Sequence, residues 1–368
     1  MMKICHIAIK HSIYSDSRIV ERMAKSSLLK NRVTIITAGE KSSNEDGLEV
    51  MNIGAKKNNS LLNFYKVFVN SLKINADIYH LHEVPLILIG ILLKIFGKKI
   101  IMDFHEDFEA EIFDKSYLTK TKAQIIKFLY KPLKIVSLIM FDRIILAEES
   151  YKKKFINLFN KIEVIKNFPV SSKFKFKNKT EKKQNLVVYV GVISADRGIK
   201  ELINAVIKFN DNTENCLHLH LDLIGPINDE DLKNYILSKV DSSNGEISWL
   251  GKKKYSEILF NLTNYDVGFS ALHDKENYRY SLPTKILEYG SAGLYSIASD
   301  LPITHEYIRE GLNGSIVKPN DSDSIYECFV EIIPKIKDND RENIRKFVSE
   351  NFSWDEEYKK LENLYLKI

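Results

Sequence analysis

The sequence is poor in cysteine. Cys5, Cys216 and Cys328 are the only three. They are far apart and odd in number, so no disulfide framework or zinc spacing can be drawn from them, which favours a reducing compartment. Long hydrophobic runs are missing as well. Leu86–Phe96 and Ile135–Ile145 come nearest, but both fall short of the roughly 18 apolar residues of a spanning helix. They read as a buried helix and a buried strand. The opening MMKICHIAIKHS is a strand-like run broken by charge, without the apolar core and cleavage site of a signal peptide. Charge of one sign does not dominate: 54 basic against 49 acidic residues leave +5, too mild to imply nucleic-acid binding. No Gly-x-Gly-x-x-Gly follows the first strand, which disfavours a Rossmann-type dinucleotide site. These absences predict a cytoplasmic protein that does not span a membrane.

What is present is a soluble α/β pattern. At 368 residues, 44% hydrophobic and 28% charged, the chain is long enough for two core-bearing domains. Strand-like runs fall at Lys3–Ile9, Arg32–Thr37, Leu48–Ile53, Asp77–Leu81, Lys99–Asp103, Asp142–Leu146 and Ile162–Ile165. Amphipathic segments such as Ser17–Leu29, Leu61–Ile74 and Val84–Phe96 lie between them. Pro169–Asn185 is polar, Lys-rich and aperiodic, and marks a domain boundary. Alternation then restarts, with strands at Leu186–Gly191, Leu217–Gly225, Glu246–Gly251, Tyr265–Ala271, Leu294–Ala298 and Gly314–Val317. Helices are predicted at Gly198–Phe209, Glu230–Val240, Ser256–Leu262, Thr284–Ala292, Ile303–Glu310, Ser322–Ile336, Arg341–Asn351 and Trp354–Leu366. Strands alternating with helices argue parallel sheets covered on both faces. Ligands of such sheets bind outside the carboxyl ends of the strands, and two such domains would leave a cleft between them.

Several loops carry candidate chemistry. In SDSRIVERMA, Asp16 reads as a helix cap, or else Asp16 and Arg18 face an acceptor. His80 and His82 alternate onto one side of a strand end; the pair either binds a metal or sits buried beside a cleft. His105, with Glu106 and Asp107, follows the Lys99–Asp103 strand, where a His among carboxylates can act as a polar or acid–base group. Lys115–Lys134 holds six lysines and no acid among apolar residues. It reads as a basic amphipathic helix lying on an anionic membrane, or as a core helix with solvated lysines. Arg197 and Gly198 open a helix, a place where amides and a guanidinium meet a phosphate. In YRYSLPTKILEYGSAGLYSIASD, Lys285 and Glu288 are three apart and share a helical face. Gly290 and Gly293 permit close backbone approach. A cation, a carboxylate and free helix amides together suit a phosphorylated, ribose-bearing ligand; the alternative is a solvated Lys–Glu pair.

Taken in order, YVGVISADRGIKELINA, LDLIGP, ISWLG, YDVGFSAL, SLPTKILEYGSAGLYSIASD and GLNGSIVKPND resemble the retaining, nucleotide-sugar-dependent glycosyltransferases of GT-B fold, family four. SDSRI, DIYHLHE and DFHEDF are weaker marks, and FSWDEEYKKLENLY is similar to the family's closing helix. The resemblance implies two Rossmann-like domains with a cleft between them. Residues 1–168 would form the acceptor-side domain, 169–185 a linker, 186–350 the donor domain, and 351–368 a helix crossing back to the first domain. It implies sugar transfer from a nucleotide-diphosphate donor, with UDP favoured, to a glycan or lipid-linked acceptor in surface polysaccharide synthesis (capsule or O-antigen) beside the membrane. No cofactor or metal is implied. Glu288 would hold the ribose, Arg197 and Lys285 the diphosphate, and the amides around Gly290, Gly293 and Leu294 would approach it. His105 would contact the donor sugar near the reacting carbon. Tyr280 stands where many members have a glutamate, and Val192 where many have arginine. Competing readings are a GT-B-fold sugar-nucleotide epimerase or phosphorylase and a catalytically weak partner subunit.

Overall fold

The computed structural model of the protein describes residues 1–9, 16–38, 42–45, 47–54, 60–105, 108, 112, 119–155, 159–174, 185–212, 217–336 and 338–368. The chain forms two compact units, Met1–Asn167 together with Trp354–Ile368, and Phe168–Ser353.

Unit 1 is built on β1 (Lys3–Ile7), β2 (Arg32–Thr37), β3 (Ser43–Glu45), β4 (Leu48–Asn52), β5 (Ile78–Leu81), β6 (Lys99–Phe104), β7 (Arg143–Leu146) and β8 (Ile162–Val164). The sheet runs β3-β4-β2-β1-β5-β6-β7-β8. Every pairing is parallel except β3 with β4; β3, the short antiparallel edge, is absent from the sequence reading. Both faces are covered, which is why strands such as RVTIIT are near-continuous apolar runs. The period of two sorts the side chains cleanly. Cys5, Ile7, Tyr79, Leu81, Ile100 and Met102 pack with residues of α2 (Ser60–Ile74), α3 (Ile87–Ile95) and α4 (Lys120–Met140). The intervening positions His6, His80, His82, Asp103 and His105 therefore belong to the other face. There they meet α1 (Ser17–Ala24, continuing as Lys25–Ser27) and α11 (Trp354–Leu366).

The C-terminal helix α11 is part of this unit. Trp354 Nε1 donates to Ser26 Oγ at 2.8 Å, the Lys166 amide donates to Glu357 at 2.7 Å, and Tyr365 bonds His80 at 2.9 Å. Ile135–Met140 corrects the sequence expectation, for it is helical rather than strand. The helix runs through Pro132, and Ile135 and Ile139, four apart, keep to the helical period beyond it. The strand starts only at Arg143. Of the Lys115–Lys134 segment, residues 115–118 lie outside the described residues, as do Glu106, Asp107 and Cys216.

Unit 2 contains β9 (Asn185–Val190), β10 (Leu219–Ile224), β11 (Ile247–Gly251), β12 (Val267–Ser270), β13 (Tyr295–Ser299) and β14 (Gly314–Val317), ordered β11-β10-β9-β12-β13-β14 and parallel throughout. Its helices are α5 (Ile199–Asp211), α6 (Glu230–Ser242), α7 (Tyr255–Leu262), α8 (Thr284–Ser291), α9 (Ser322–Ile332) and α10 (Asp338–Asn351). Strand order reverses direction between β9 and β12, a topological switch point where open α/β sheets place ligands. The helix expected over Ile303–Glu310 is a single turn, Thr304–Glu306. Buried Asn313 takes over the local backbone: its Oδ1 accepts from the Arg309 amide at 2.7 Å, and its Nδ2 donates to the Tyr307 carbonyl at 2.9 Å. A side chain meets the groups that a helix would have paired. Among the described residues, no helix is long and apolar enough to cross a membrane.

Candidate functional site

At the switch point of unit 2 the loops crowd together, and glycine makes this possible. Gly191 has φ +136°, and a Cβ there would lie 2.8 Å from the Cε and Nζ of Lys285. A Cβ on Gly225 would lie 1.8 Å from the Gly191 carbonyl oxygen. The turn after β9 thus lies beneath Lys285 and against the turn after β10. Lys285, the second residue of α8, donates to the Tyr189 hydroxyl at 3.0 Å, its Nζ 4.3 Å from the ring centroid. Arg197 bonds the same phenol. Two cationic side chains therefore share one neutral oxygen. Burial lowers the Lys285 pKa well below the ordinary lysine value, and the charge of Arg197 lowers it further. Burial pushes the Tyr189 phenol up to about 12.

Around this pair the polar groups are ordered. Asp196 accepts from Ser194, from Lys275 at 3.0 Å and from Tyr278 at 2.8 Å. Burial alone would raise its pKa, but these donors hold it well below the carboxylate range. One helical turn after Lys285, Glu288 Oε1 accepts from Tyr255 Oη at 3.0 Å. The orientation of α8 is pinned by Tyr289, whose hydroxyl accepts from the Val190 amide at 3.0 Å and donates to the Phe269 carbonyl at 3.3 Å. Its ring fills the space a Cβ on Gly268 would need, 2.2 Å away.

Arg197, Lys285 and Glu288 are thus brought to one sheet edge. Gly290, Gly293 and Leu294 are not. A Cβ on Gly290 would lie 2.5 Å from Val348 of α10, so the glycine lets two helices touch. Gly293, φ +82°, turns the chain beside Arg341, and Leu294 is fully buried. Gly290 is five residues past Lys285, about 8 Å along the helix, and Gly293 and Leu294 follow the end of α8, at the side that leads into the start of β13. Their part is packing. Tyr280 is half exposed in the loop before α8. Tyr189 and Tyr255, which organise the cations and the carboxylate, were not singled out by the sequence; the only available signal is that each ends or follows a strand at the ligand edge.

In unit 1 the equivalent strand ends hold a buried network. Arg18 Nε and one terminal nitrogen each reach Asp103 at 2.9 Å, and its other terminal nitrogen donates to the Ile165 carbonyl at 3.0 Å. Asp103 also meets His82 Nδ1 at 3.2 Å and His105 Nδ1 at 3.6 Å. His82 Nε2 is 2.8 Å from His6 Nδ1. Arg18 is therefore not presented to an acceptor; it is buried as the counter-ion of Asp103. Asp16 caps α1, accepting from the Ile19 amide at 2.9 Å. Burial would raise the Asp103 pKa, but Arg18 and the two histidines hold it far below the usual range. Burial lowers His6 and His80 strongly and His82 to about 3. At His105 burial acts downward too, but Asp103 outweighs it and the pKa is raised. His6, His80 and His82 carry ring nitrogens within 4.8 Å of one another, as do groups of His82, Asp103 and His105. His80 and His82 are at the same time tied to Tyr365 and Asp103, as parts of a hydrogen-bonded core.

Residues 170–349 match the family described as Glycosyl transferases group 1. No curated protein matches the chain. Among solved structures, sucrose-phosphate synthase from Thermosynechococcus elongatus aligns with a TM-score of 0.76 and 13% identity, over 100% of this chain and 99% of that one. A glycosyltransferase from Rickettsia africae ESF-5 gives 0.74 and 16%, over 100% and 98%. Anabaena Alr3699/HepE in complex with UDP and glucose gives 0.72 and 14%, over the whole of both chains. At such identities the likeness is one of fold. Residues 170–349 are thus similar to the group 1 glycosyl transferases, and the chain has the fold of the GT-B glycosyltransferases, two parallel-sheet α/β units.

Proposed function

We propose that the protein transfers a sugar, with retained anomeric configuration, from a nucleotide-diphosphate donor to a glycan or lipid-linked acceptor in surface polysaccharide synthesis. UDP is the favoured nucleotide, since the Anabaena relative binds UDP and glucose. The observation that carries the reading is the convergence of Arg197 and Lys285 on Tyr189 above Gly191, with Glu288 one turn away. Two cations beside a glycine turn suit a diphosphate, whose charge grows as the glycosidic bond breaks; preorganised cations stabilise that development. Glu288, held by Tyr255, suits a pair of ribose hydroxyls. In unit 1, His105 is the residue that the resemblance gives to the donor sugar.

No side chain of the site is assigned as a nucleophile. We infer front-face attack assisted by the departing phosphate, and a trapped covalent glycosyl-enzyme would defeat that. Chemistry of this kind draws on protein cations, so nucleotide release is expected to continue in EDTA.

The test is incubation with UDP-, GDP- and dTDP-sugars, with nucleotide diphosphate release as readout. Lys285→Ala and Glu288→Ala are each expected to lose about 100-fold or more, the scale seen when one charge-stabilising group is removed. Wild-type release by both variants would refute the site. His105→Ala tests unit 1 separately, with donor binding kept and release lost.

A further inference from the structure

An amphipathic helix on a covered sheet has one apolar face, which it buries. Helix α4 has two. Ala123, Tyr130, Ser137 and Leu138 face inward. On the opposite side Ile125, Phe128, Leu129, Ile135 and Ile139 are 54%, 75%, 58%, 58% and 63% exposed. Their spacing of three and four residues, with exposed Pro132 between them, forms one stripe along the helix. Five large side chains exposed to this degree amount to roughly 500 Å² of apolar surface, in the upper part of the roughly 300–600 Å² spanned by a monomer's largest patch, which is often functional.

The charges around the stripe say what covers it. The helix carries Lys120, Lys122, Lys127, Lys131 and Lys134 and no acidic residue. At roughly 100° per residue, Lys122 borders the stripe beyond Leu129 and Lys131 borders it beyond Ile135; both are exposed. Lys134 turns inward, its Nζ 4.2 Å from the Phe155 ring centroid. At the C-terminal end Lys161 donates to the carbonyls of Ile139 and Phe141 at 2.8 and 3.2 Å. The neighbouring helix α3 exposes Leu88 and Ile95, with Phe96 just beyond it. An apolar stripe edged by lysines, with no acid on the helix, complements a surface that is apolar inside and anionic at its rim.

We propose that α4 is a membrane-surface seat: the stripe Ile125–Phe128–Leu129–Ile135–Ile139 inserts at the headgroup boundary of an anionic lipid bilayer, and Lys122 and Lys131 pair with lipid phosphates. Interfacial helices bind through buried apolar area together with attraction to anionic lipid, so both parts are testable. The proposal stands independently of the transferase reading, because none of these residues belongs to the candidate donor site.

The experiment is flotation of the full chain with vesicles of phosphatidylcholine alone and with one third phosphatidylglycerol. Wild type is expected to float with the anionic vesicles at least tenfold more than with the neutral ones, and to be released by high salt. Phe128→Glu with Leu129→Glu should cut binding at least tenfold, and Lys122→Gln with Lys131→Gln should weaken binding at low salt and flatten its dependence on salt. All four positions are exposed, so unchanged thermal melting is the folding control. Absence of flotation by wild type, or flotation that the Phe128 and Leu129 changes leave intact, overturns the proposal. So does a concentration-dependent dimer that the same changes abolish, since the stripe would then be covered by a second copy. Donor turnover in vesicle-free buffer is expected to be the same in wild type and variants, which keeps a failure here distinct from a failure of the transferase assignment.

Discussion

Unit 1 should lose stability on mild acidification, at a pH where most carboxylates are still ionised. His6, His80 and His82 are buried and held neutral, His82 with a pKa of about 3. In the unfolded chain each titrates near 6.5. Below that value the unfolded state binds more protons, so stability rises with pH in this window and falls on acidification. Integrated over the titration, one such imidazole costs little at pH 7 and on the order of 1 kcal/mol at pH 5.5. For three, the loss between these pH values is on the order of a few kcal/mol, a large part of the roughly 5–15 kcal/mol of a typical domain. Two other groups have the wrong window to offset it. His105 has a raised pKa, so its contribution is complete below about pH 6.5 and is lost as pH rises through its folded value. Asp103 has a depressed pKa, so its contribution is present above about pH 4 and is lost only below that.

The assay is urea unfolding at pH 7, 6, 5.5 and 5, followed by tryptophan fluorescence. The chain has two tryptophans, and Trp249→Phe leaves Trp354, packed on Ser26 within unit 1, as the reporter. The midpoint is expected to fall throughout this range, and His6→Gln should remove about a third of the pH effect. A midpoint that stays constant to pH 5 and falls only below pH 4 would mean that the buried histidines do not govern acid stability.

Three further outcomes follow from the geometry. Asp103→Asn strands the buried guanidinium of Arg18 and should cost about 3–5 kcal/mol in the same urea assay, while Asp103→Asn with Arg18→Met should cost less than the single change. Tyr255→Phe frees Glu288 from its 3.0 Å hydrogen bond; the KM for donor should rise several-fold at little change in kcat or melting temperature, whereas an equal loss in kcat would place Tyr255 in the chemistry instead. Because burial and Arg197 lower the Lys285 pKa, a diphosphate bound beside it should raise it. Calorimetry of nucleotide binding in buffers of different ionisation enthalpy, run as a pH series from 7 to 10, should report proton uptake over the pH interval between the two values, and Lys285→Met should abolish it.

The fold was legible where a repeating pattern reports it. Near-continuous β-branched runs mark strands covered on both faces, and these recur at nearly every strand of both sheets. What pattern could not carry was any feature decided by a distant partner. Arg18 read as an acceptor-side cation because its counter-ion, Asp103, lies 85 positions on. Ile303–Glu310 read as a helix because the competing hydrogen bonds come from one asparagine side chain. Within the site, Lys285 and Glu288 were legible from their helical spacing, and Arg197 from its place at a helix start after a strand. Gly290, Gly293 and Leu294 were drawn into the same site because they share a motif with Lys285, yet a helix carries its two ends to opposite edges of a parallel sheet.

Helix α4 exposes the deeper limit of periodicity. A hydrophobic pattern tells that apolar residues line up, but not how many surfaces are there to receive them. Ile125, Phe128 and Leu129 contribute to the same composition as Ala123, Tyr130 and Leu138, so the segment read equally well as a core helix or as a lipid-facing one. The sheet beneath can cover only the arc that faces it. The residues on the opposite arc keep their water-exposed area, and since burying such area is favourable at roughly 25 cal/mol per Å², an apolar face left open and edged by lysine is more simply understood as meeting a second apolar phase than as surplus core. The core reading therefore holds for the inner arc of α4, and the outer arc keeps the exposed apolar stripe on which the lipid proposal rests.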